Sequence, residues 1–251
     1  MTQYATYPTL HSRTILITGG ATGIGASLVE AFTLQHSKVI FLDIQDEAAA
    51  ALITRLAPAA THPPIYHRCD LTDTPTRQAL LTKLPDIDVL INNAGNDTRH
   101  TTASVTPDLW DQLLAVNLKH YFFIIQAIAP GMVARRRGSI INMSSISPLI
   151  PSTGLPVYVA AKSAIVGLTR SFAHELGPHN IRVNAILPGA ILTERQQQLW
   201  FTPEYSAEIL SRQALKRHLQ PDEVARLALF LAADDSAAIT NQSHIIDAGW
   251  I

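Results

Sequence analysis

Short runs of apolar and β-branched residues alternate with longer helical patterns from one end of the chain to the other. Seven runs have the length and composition of strands: 14–18, 38–43, 65–70, 88–92, 139–144, 181–187 and 243–247. Apolar residues at helical spacing mark segments between them, among them 24–36, 107–134, 156–176 and 221–233. This order predicts an α/β fold, a doubly wound, seven-stranded parallel sheet with helices on both faces. Because no linker, repeat or low-complexity tract interrupts it, we expect a single domain over residues 1–251.

Charge and cysteine content narrow the classes of function. The formal net charge is −1 and the only tight basic run is Arg135–Arg137, so we expect neither a nucleic-acid nor a membrane partner. Cys69 is the only cysteine, which excludes an intrachain disulfide and favours a reducing compartment. Residues 1–10 lack the features of a signal peptide, and the apolar stretch 121–134 is too short to span a bilayer. These features predict a cytoplasmic protein.

The segment TGGATGIG, residues 18–25, joins the first predicted strand to the first predicted helix. Gly19 permits a tight turn, Gly23 lets the backbone approach a pyrophosphate, and Gly25 lets helix and strand pack closely. Free N–H groups at the helix N-terminus then face the phosphates. A plain loop would contain the same letters, but the position between strand and helix favours a dinucleotide site. Its predicted members are Gly19, Thr22, Gly23, Ile24 and Gly25.

Asp43 ends the second predicted strand, eighteen residues after Gly25. A carboxylate in that position bonds the ribose 2′-hydroxyl of NAD and repels the 2′-phosphate of NADP. Because the glycine turn contains no Lys or Arg and none follows Asp43 closely, the sequence favours NAD. At the end of the third strand, Asp70 and Leu71 are in place to bond adenine, although a plain strand terminus would have the same residues.

The sequence NNAG, residues 92–95, follows the fourth predicted strand. Asn93, Ala94 and Gly95 are predicted to line the middle of the cofactor. In a parallel doubly wound sheet, ligands bind beyond the carboxyl ends of the strands, and each of these motifs falls at such an end. The motifs therefore support one another.

Tyr158 and Lys162 lie four residues apart in the apolar segment VYVAAKSAIVGL, so they share one face of a helix. A phenol has a pKa of about 10 and is a poor base near neutrality, whereas a nearby ammonium favours the phenolate and lowers that pKa. We predict that Lys162 brings Tyr158 into the range of general acid–base catalysis. Most isolated YxxxK strings are structural, so this prediction depends on the neighbouring motifs.

Two further polar residues are candidates for the same site. Ser145 follows the fifth predicted strand, thirteen residues before Tyr158, and its hydroxyl can bond a reacting oxygen. Asn117 interrupts a helical pattern, and a buried amide needs partners. A water relay to Lys162 would satisfy Asn117, and so would polar contacts within the core.

Taken together, the motifs resemble those of the short-chain dehydrogenase/reductase family over almost the entire chain. The resemblance rests on Thr18-Gly19-x-x-x-Gly23-x-Gly25, Asn92–Gly95, Asn117, Ser145, Tyr158-x-x-x-Lys162 and Pro188-Gly189. It implies a Rossmann fold and a homotetramer.

The resemblance also implies roles for the site residues. Tyr158 would be the catalytic base, and Ser145 would orient the substrate oxygen. Lys162 would bind the nicotinamide ribose and lower the tyrosine pKa, while Asn117 would hold a proton-relay water. The segment 187–193 is similar to the family segment that cradles nicotinamide, through Pro188, Gly189, Ile191 and Thr193.

Closer likenesses indicate one branch of the family, the bacterial NAD-dependent aldose 1-dehydrogenases. They lie in residues 92–100, 141–147 and 201–204 and in the ending IDAGWI. Enzymes of this branch, with those acting on D-xylose nearest in motif, oxidise the C1 hydroxyl of a pyranose to the lactone. The resemblance implies a substrate lid at about 189–215. The sugar contacts it implies are Asn96, Ser145, Ser147, Tyr158, Arg195 and Trp200.

The segments 96–100 and 193–205 have a composition that fits a sugar ligand. Sugar hydroxyls bond amides and carboxylates, and the C–H faces of the sugar ring pack against indole. Two ordinary surface loops would have the same composition. Residues 148–150, Pro-Leu-Ile, depart from the D-xylose enzymes, which carry bulkier residues there, so the identity of the sugar stays open.

Other chemistries fit the sequence poorly. His174 and His179 are five residues apart with Gly177 and Pro178 between them, so we expect no metal site. No G-x-S-x-G elbow is present for hydrolase chemistry. Three hypotheses remain: an NAD-dependent aldose 1-dehydrogenase, an oxidoreductase of the same fold acting on another polyol, a sugar acid or a ketone, and a nucleotide-binding protein without turnover. The intact Ser145, Tyr158 and Lys162 argue against the third.

Overall fold

A parallel sheet forms the centre of the molecule. The computed structural model describes residues 4–199 and 201–251. Within them the strands are β1 (Thr14–Thr18), β2 (Lys38–Asp43), β3 (Ile65–Arg68), β4 (Val89–Asn92), β5 (Gly138–Met143), β6 (Ile181–Pro188) and β7 (Ser243–Ile246). Their order across the sheet is β3-β2-β1-β4-β5-β6-β7, and every neighbouring pair is parallel. The predicted α/β class with a seven-stranded parallel sheet is confirmed.

Helices connect the strands. In the described ranges they are α1 (Gly23–Leu34), α2 (Asp46–Leu56), α3 (Thr74–Leu81), α4 (Pro107–Leu114), α5 (His120–Arg135), α6 (Pro156–Leu176), α7 (Glu194–Leu199), α8 (Pro203–Arg212) and α9 (Pro221–Ala232). The predicted strand boundaries agree with the structure to within two residues. The largest difference is at β3, which ends at Arg68, so that Cys69 and Asp70 lie in the loop that follows it.

Each face of the sheet packs against its own apolar cluster. Ile15 and Ile17 of β1 pack with buried residues of α1 and α9, whereas Leu16 between them packs with buried residues of α5 and α6. Successive side chains of a strand point to opposite faces, so an uninterrupted apolar strand buries both. The runs of apolar residues in the sequence therefore reflect a sheet covered on both sides.

The longest helical run, Pro107–Arg135, is α4 and α5 joined through a π-helical turn at Ala115–Lys119. Its 29 residues are long and apolar enough to cross a membrane by length and composition alone, unlike the shorter stretch evaluated from the sequence. In the structure Ile124 and Ile125 of this run are fully buried in the core cluster with Leu90 of β4. The run is therefore a core helix of the α/β fold.

The strand order reverses between β1 and β4, because the chain moves outward from β1 through β2 to β3 and then returns to the other side of β1. A crevice at the carboxyl ends of the strands forms at such a switch point, and ligands of open α/β sheets bind there. The glycine turn after β1 and the NNAG segment after β4 both lie at this point.

Candidate active site

The glycine turn has the backbone conformation that its sequence predicts. Gly19 and Gly23 have φ values of +65° and +55°, in the left-handed region that favours glycine. A Cβ on Gly25 would lie 1.7 Å from the carbonyl oxygen of Gly19, so only glycine fits where α1 begins against the turn. Thr22 is the N-cap residue of α1, and Ile24 is in its first turn. The turn therefore leaves an open cradle at a helix N-terminus.

Asn93 fastens this turn to β4. Its side-chain amide donates to the carbonyl oxygens of Thr18 and Gly19, at 3.0 and 2.9 Å. The buried Thr18 hydroxyl in turn accepts the backbone N–H groups of Asn93 and Ala94, at 2.9 and 3.1 Å. Because the two loops hold each other through main-chain groups, the cradle is rigid before any ligand enters. The remaining Asn92 side chain is buried and donates to Asn142 instead.

The carboxylate of Asp43 is held at the far end of the cradle. It accepts the backbone N–H groups of Ala21, Ile44 and Gln45, at 2.9, 2.7 and 3.1 Å. These bonds place a fixed negative charge next to the glycine turn. Such a charge repels a 2′-phosphate and accepts a 2′-hydroxyl, as expected for an NAD site.

The adenine-side candidates lie past β3. Asp70 accepts both the backbone N–H and the hydroxyl of Thr72, at 2.9 and 2.7 Å, and Leu71 is buried. In the structure Arg68 lies beside Asp43, a proximity that was not predicted from the sequence. The register pairs the two residues across β2 and β3, and the Arg68 guanidinium bonds Asp46 and the carbonyl oxygen of Ile44.

The nicotinamide-side candidates follow β6. A Cβ on Gly189 would lie 2.8 Å from the Cβ of Asp247, so the chain passes closely over the end of the sheet there. Ile191 forms a β-bridge with Leu219, and a Cβ on Gly23 would lie 3.3 Å from the Thr193 methyl group. The segment that begins at Pro188 therefore closes over the glycine turn from the opposite side.

Tyr158 and Lys162 lie on α6, with the Nζ of Lys162 5.5 Å from the centroid of the tyrosine ring. The ammonium is buried and donates to the carbonyl oxygen of Met143 at 2.9 Å and to the Tyr121 hydroxyl at 3.4 Å. Tyr121 also donates to Met143, at 3.0 Å. Lys162 is therefore held between the helix and the end of β5. Tyr121 was not singled out from the sequence, although it lies one helical turn after Asn117, because an aromatic residue in an apolar helix is typical of a core position.

Ser145 completes the group expected from the sequence. Its hydroxyl is hydrogen-bonded with the phenol of Tyr158, lies 2.9 Å from the Ser147 hydroxyl and accepts the backbone N–H of Ser147 at 3.0 Å. The loop after β5 thus brings Ser145 and Ser147 to the helix that carries Tyr158. The structure joins three hydroxyls that are separated by up to thirteen residues in the chain.

The effect of Lys162 on Tyr158 differs from the sequence prediction. Burial raises the pKa of the Tyr158 phenol above its usual value, Asp97 raises it further, and the Ser145 hydrogen bond lowers it only in part. Burial also lowers the pKa of Lys162 to about 7. The expected lowering of the phenol pKa is therefore wrong for this structure, because desolvation of the phenol outweighs the Ser145 hydrogen bond and the Arg99 charge, which lower it.

Asn117 lies in the π-helical turn and is fully buried. Its Oδ1 accepts the backbone N–H of Asn96 at 2.8 Å, and its Nδ2 donates to the carbonyl oxygens of Asn96 and Leu113, both at 3.0 Å. Of the two alternatives left open by the sequence, the structure satisfies this amide with protein groups. A Cβ on Gly95 would lie 3.1 Å from the Asn117 Oδ1 and 3.3 Å from the Lys162 Nζ, so the NNAG loop needs glycine at this point.

A cavity of about 140 Å³ opens beside Tyr158. Its polar lining includes Asp97, Arg99, Ser145, Ser147, Ser152, Tyr158, Gln196 and Tyr205, and its apolar lining includes Ile150, Leu155, Ile191 and Trp250. Trp250 and Tyr205 were missed as site residues. Trp250 is the penultimate residue of the chain, and only the folded tail shows that it reaches the cavity.

The loop after β4 contacts the segment that contains α7. Arg195 places Nη2 3.1 Å from the Oδ1 of Asn96 and Nε 3.4 Å from the Oδ1 of Asp97. Gln196 donates to Asp97 at 2.7 Å. Of the predicted sugar contacts, Ser145, Ser147 and Tyr158 line the cavity, whereas Asn96 and Arg195 bond each other. Trp200 lies outside the described residues.

The sheet order, the glycine turn at its switch point and the Ser145–Tyr158–Lys162 group define a class of protein. A family model described as enoyl-(acyl carrier protein) reductase matches residues 19–251. The chain belongs to the short-chain dehydrogenase/reductase family, whose members are oxidoreductases that bind a nicotinamide cofactor. The glycine turn, with Gly19 and Gly23 at positive φ and the N-terminus of α1 directly after it, fits such a cofactor.

Within the family, the chain is similar to several individual proteins. The chain is 47% identical to the D-xylose 1-dehydrogenase of Caulobacter vibrioides over 246 residues, which cover 98% of each chain. It is also 47% identical to a probable galactose dehydrogenase of Rhizobium meliloti over 247 residues, 97% of this chain and 96% of that one. A solved structure of a 3-oxoacyl-[acyl-carrier protein] reductase with bound NAD from Brucella melitensis aligns with a TM-score of 0.89 at 34% identity. It covers 100% of this chain and 98% of the other.

Proposed function

We propose that the chain is an NAD-dependent aldose 1-dehydrogenase, which oxidises the C1 hydroxyl of an aldopyranose, D-xylose or a similar sugar, to the lactone. The observation that carries the proposal is the 47% identity, over nearly the full length, to two proteins named as sugar dehydrogenases. The cavity beside Tyr158 supports it, because hydroxyls, an amide and a carboxylate line one part and Trp250 lines another. Sugars bind to such mixed surfaces.

The reaction assigns a separate task to each group around the phenol. Tyr158 removes the proton from the C1 hydroxyl, and Ser145 holds the C1 oxygen next to it by hydrogen bonding. NAD, when bound, would supply the acceptor for the hydride of C1, so that C1 would become the lactone carbonyl carbon. Lys162 holds the nicotinamide ribose, and its charge, when present, favours the phenolate. Asn117 holds the loop at Asn96 against the end of α4, because its side chain bonds both Asn96 and Leu113.

The cofactor is held by the residues around the glycine cradle. Gly19, Thr22, Gly23, Ile24 and Gly25 take the pyrophosphate, and Asp43 accepts the ribose 2′-hydroxyl. Asp70 and Leu71 take the adenine, while Asn93, Ala94 and Gly95 line the centre. Pro188, Gly189, Ile191 and Thr193 take the nicotinamide. The carboxylate of Asp43, which accepts three backbone N–H groups, supports NAD over NADP as the cofactor.

A lid over about 189–215 is part of the proposal. Ile191 and Leu219 are bridged where the segment leaves and rejoins the body of the domain, and between them α7 contacts the loop at 96–98. Opening at α7 requires the exchange of the Arg195 and Gln196 contacts with this loop for water, whereas the fully buried Ile209 keeps α8 packed on the domain. Sugar entry and lactone release would follow that exchange.

A sugar acid is the second candidate substrate, because Arg99 lines the cavity and Arg195 lies against Asp97 at its edge. A guanidinium there would bind a carboxylate. A panel of neutral aldoses, the matching uronates, polyols and ketones, tested with NAD and NADP by the absorbance of the reduced cofactor, separates the candidates. Oxidation of a neutral aldose to its lactone with NAD is the expected result. Oxidation of only acids or ketones would overturn the assignment of an aldose.

We also place the enzyme in the cytoplasm as a homotetramer. The support for assembly is an apolar groove on the outer faces of α5 and α6, lined mainly by Leu118, Phe122, Phe123 and Leu168. Phe122 is 39% exposed, so the groove presents apolar surface that another copy of the chain would cover. Light scattering tests the assembly, with a fourfold mass expected and a monomer excluding it.

A further inference from the structure

Helix α6, which carries Tyr158 and Lys162, begins without a capping residue of its own. Its N-cap residue is Leu155, whose side chain cannot accept a hydrogen bond. Pro156 follows at the first helical position and has no N–H group. The N–H of Val157 is therefore the first donor of the helix that needs a partner. Such groups are normally satisfied by Ser, Thr, Asp or Asn at the N-cap position.

His100 supplies the missing acceptor from another part of the chain. The N–H of Val157 donates to the Nε2 of His100 at 3.2 Å, and the Nδ1 of His100 lies 2.9 Å from the carbonyl oxygen of Thr98. A carbonyl only accepts, so Nδ1 carries the hydrogen and Nε2 is free to accept. The two partners thus fix one neutral tautomer of a ring that is 9% exposed.

His100 also joins the loop after β4 to the start of α6. The backbone N–H of His100 donates to the carbonyl oxygen of Gly154 at 2.8 Å, two residues before the helix begins. On its other side, Thr98 hydrogen-bonds to Asn96 through both its N–H and its hydroxyl, at 2.9 and 2.6 Å. Asn96 in turn contacts Arg195 of the lid. A continuous set of hydrogen bonds therefore runs from the lid to the residue that precedes Tyr158.

We propose that His100 is a positioning residue for the reaction, which caps α6 through Val157 and thereby holds the Tyr158 hydroxyl next to Ser145. This inference rests on the proposed function for its effect on turnover, but the cap itself does not depend on the substrate. His100 touches neither substrate nor cofactor in this role. The ring is a fixed link between the loop after β4 and the catalytic helix.

The position of the cap determines which step it affects. Tyr158 is the residue directly after Val157, whereas Lys162 lies a full turn further along α6. The glycine cradle is built on β1 and β4 and has no contact with this end of the helix among the hydrogen bonds of the described residues. Loss of the cap therefore displaces the phenol and lowers kcat, while the cradle keeps its affinity for the cofactor.

Two substitutions separate the cap from the bulk of the side chain. In His100→Gln the amide oxygen reaches about as far as Nε2, so the variant keeps an acceptor for Val157. In His100→Asn the side chain reaches only about as far as Nδ1, so the acceptor for Val157 is lost. We expect kcat with the preferred aldose to fall about tenfold in His100→Asn and to stay within about threefold in His100→Gln. The KM for NAD and the Kd for NADH should stay within about twofold in both.

Amide hydrogen exchange tests the cap without turnover. The Val157 amide should exchange about tenfold faster in His100→Asn than in the wild type and in His100→Gln. If the wild type oxidises no aldose but the exchange pattern holds, the proposed function fails and the cap stands. Equal exchange of Val157 in all three proteins overturns the cap. Equal losses of kcat in both variants, or a loss confined to KM, overturn the positioning role.

Discussion

The two ends of the active site are built differently. At the cofactor end, main-chain groups do the binding: Asp43 accepts three backbone N–H groups, and Asn93 bonds the carbonyl oxygens of the glycine turn. At the substrate end, the lid meets the loop at 96–98 through side chains, such as Arg195, whose side chain is 51% exposed. None of the residues that form α7 is buried.

This difference assigns different properties to the two ends. Partly or fully buried hydrogen bonds between side chains and main-chain groups hold their geometry whether or not a ligand is present, so the cofactor end is preorganised. Exposed ion pairs contribute little and exchange readily with water, so the substrate end can open at low cost. A dehydrogenase of this kind keeps one geometry for a constant cofactor and an adjustable surface for the sugar.

The largest effect is expected between the two ends, at Tyr158. Tyr158→Phe preserves the ring but removes the hydroxyl that accepts the proton, so turnover should fall by at least about a thousandfold. The Kd for NADH, measured by fluorescence, should stay within about twofold. Tyr7→Phe, a matched loss of a hydroxyl at a residue that packs against the core cluster outside this cavity, should keep kcat within about threefold. Turnover near the wild-type value in Tyr158→Phe would refute the assignment of the base.

The next largest effect is expected at the cofactor end. Gly25→Ala forces a Cβ against the carbonyl oxygen of Gly19, and the turn cannot give way without breaking its bonds to Asn93. We expect a loss of about 1–3 kcal/mol in the free energy of unfolding and at least tenfold weaker NADH binding.

Gly177→Ala is the control for that variant, because a Cβ there meets no atom of the described chain within 4 Å and Gly177 lies outside the groove between α5 and α6. NADH affinity should be unchanged in it. Equal NADH affinities in the two variants would show that the cradle is not the cofactor site.

Cofactor choice should respond to Asp43 more modestly. Asp43→Asn removes the negative charge while keeping the shape, so the ratio of kcat/KM with NADP to that with NAD should rise about tenfold. Part of the gain will be offset by the loss of acceptor capacity for the three backbone N–H groups. The test is to measure this ratio in the wild type and in the variant. An unchanged ratio would show that Asp43 does not determine the choice between NAD and NADP.

The smallest effect is expected at the lid. Arg195→Gln removes the exposed pair with Asp97, which is worth about 0–1 kcal/mol, so the KM for the aldose should rise only a few-fold. The KM for NAD should not change, since Arg195 contacts the loop on the substrate side. A larger change in the KM for NAD than in the KM for the aldose would contradict the assignment of this contact to the substrate end.

Local features of the site were predictable from the sequence. Strand and helix periods placed the seven strands, and the glycines at 19, 23 and 25 marked a turn with two positive φ values. The four-residue spacing of Tyr158 and Lys162 placed both on one helix. Each of these features depends on neighbours within a few residues in the chain, which is why a pattern of letters reveals it.

Features that depend on distant contacts were not predictable. The cap on Val157 comes from a histidine 57 residues earlier, and the lid contact joins Asp97 to Arg195 across 98 residues. The raised pKa of Tyr158 reflects burial, which a sequence motif does not measure. Trp250 reaches the cavity only because the tail folds back along residues 214 and 215.

The pH dependence of aldose oxidation with saturating NAD tests the central claim most directly. Only the deprotonated phenol accepts a proton, and burial raises the pKa of Tyr158, so its active fraction grows as the pH rises. We expect kcat/KM for the aldose to increase steadily from about pH 8 to about pH 10, because Lys162, whose pKa is about 7, has already lost its charge there and only the phenol changes its ionisation. A rate that is flat or falls over this range would contradict the role of Tyr158 as the base.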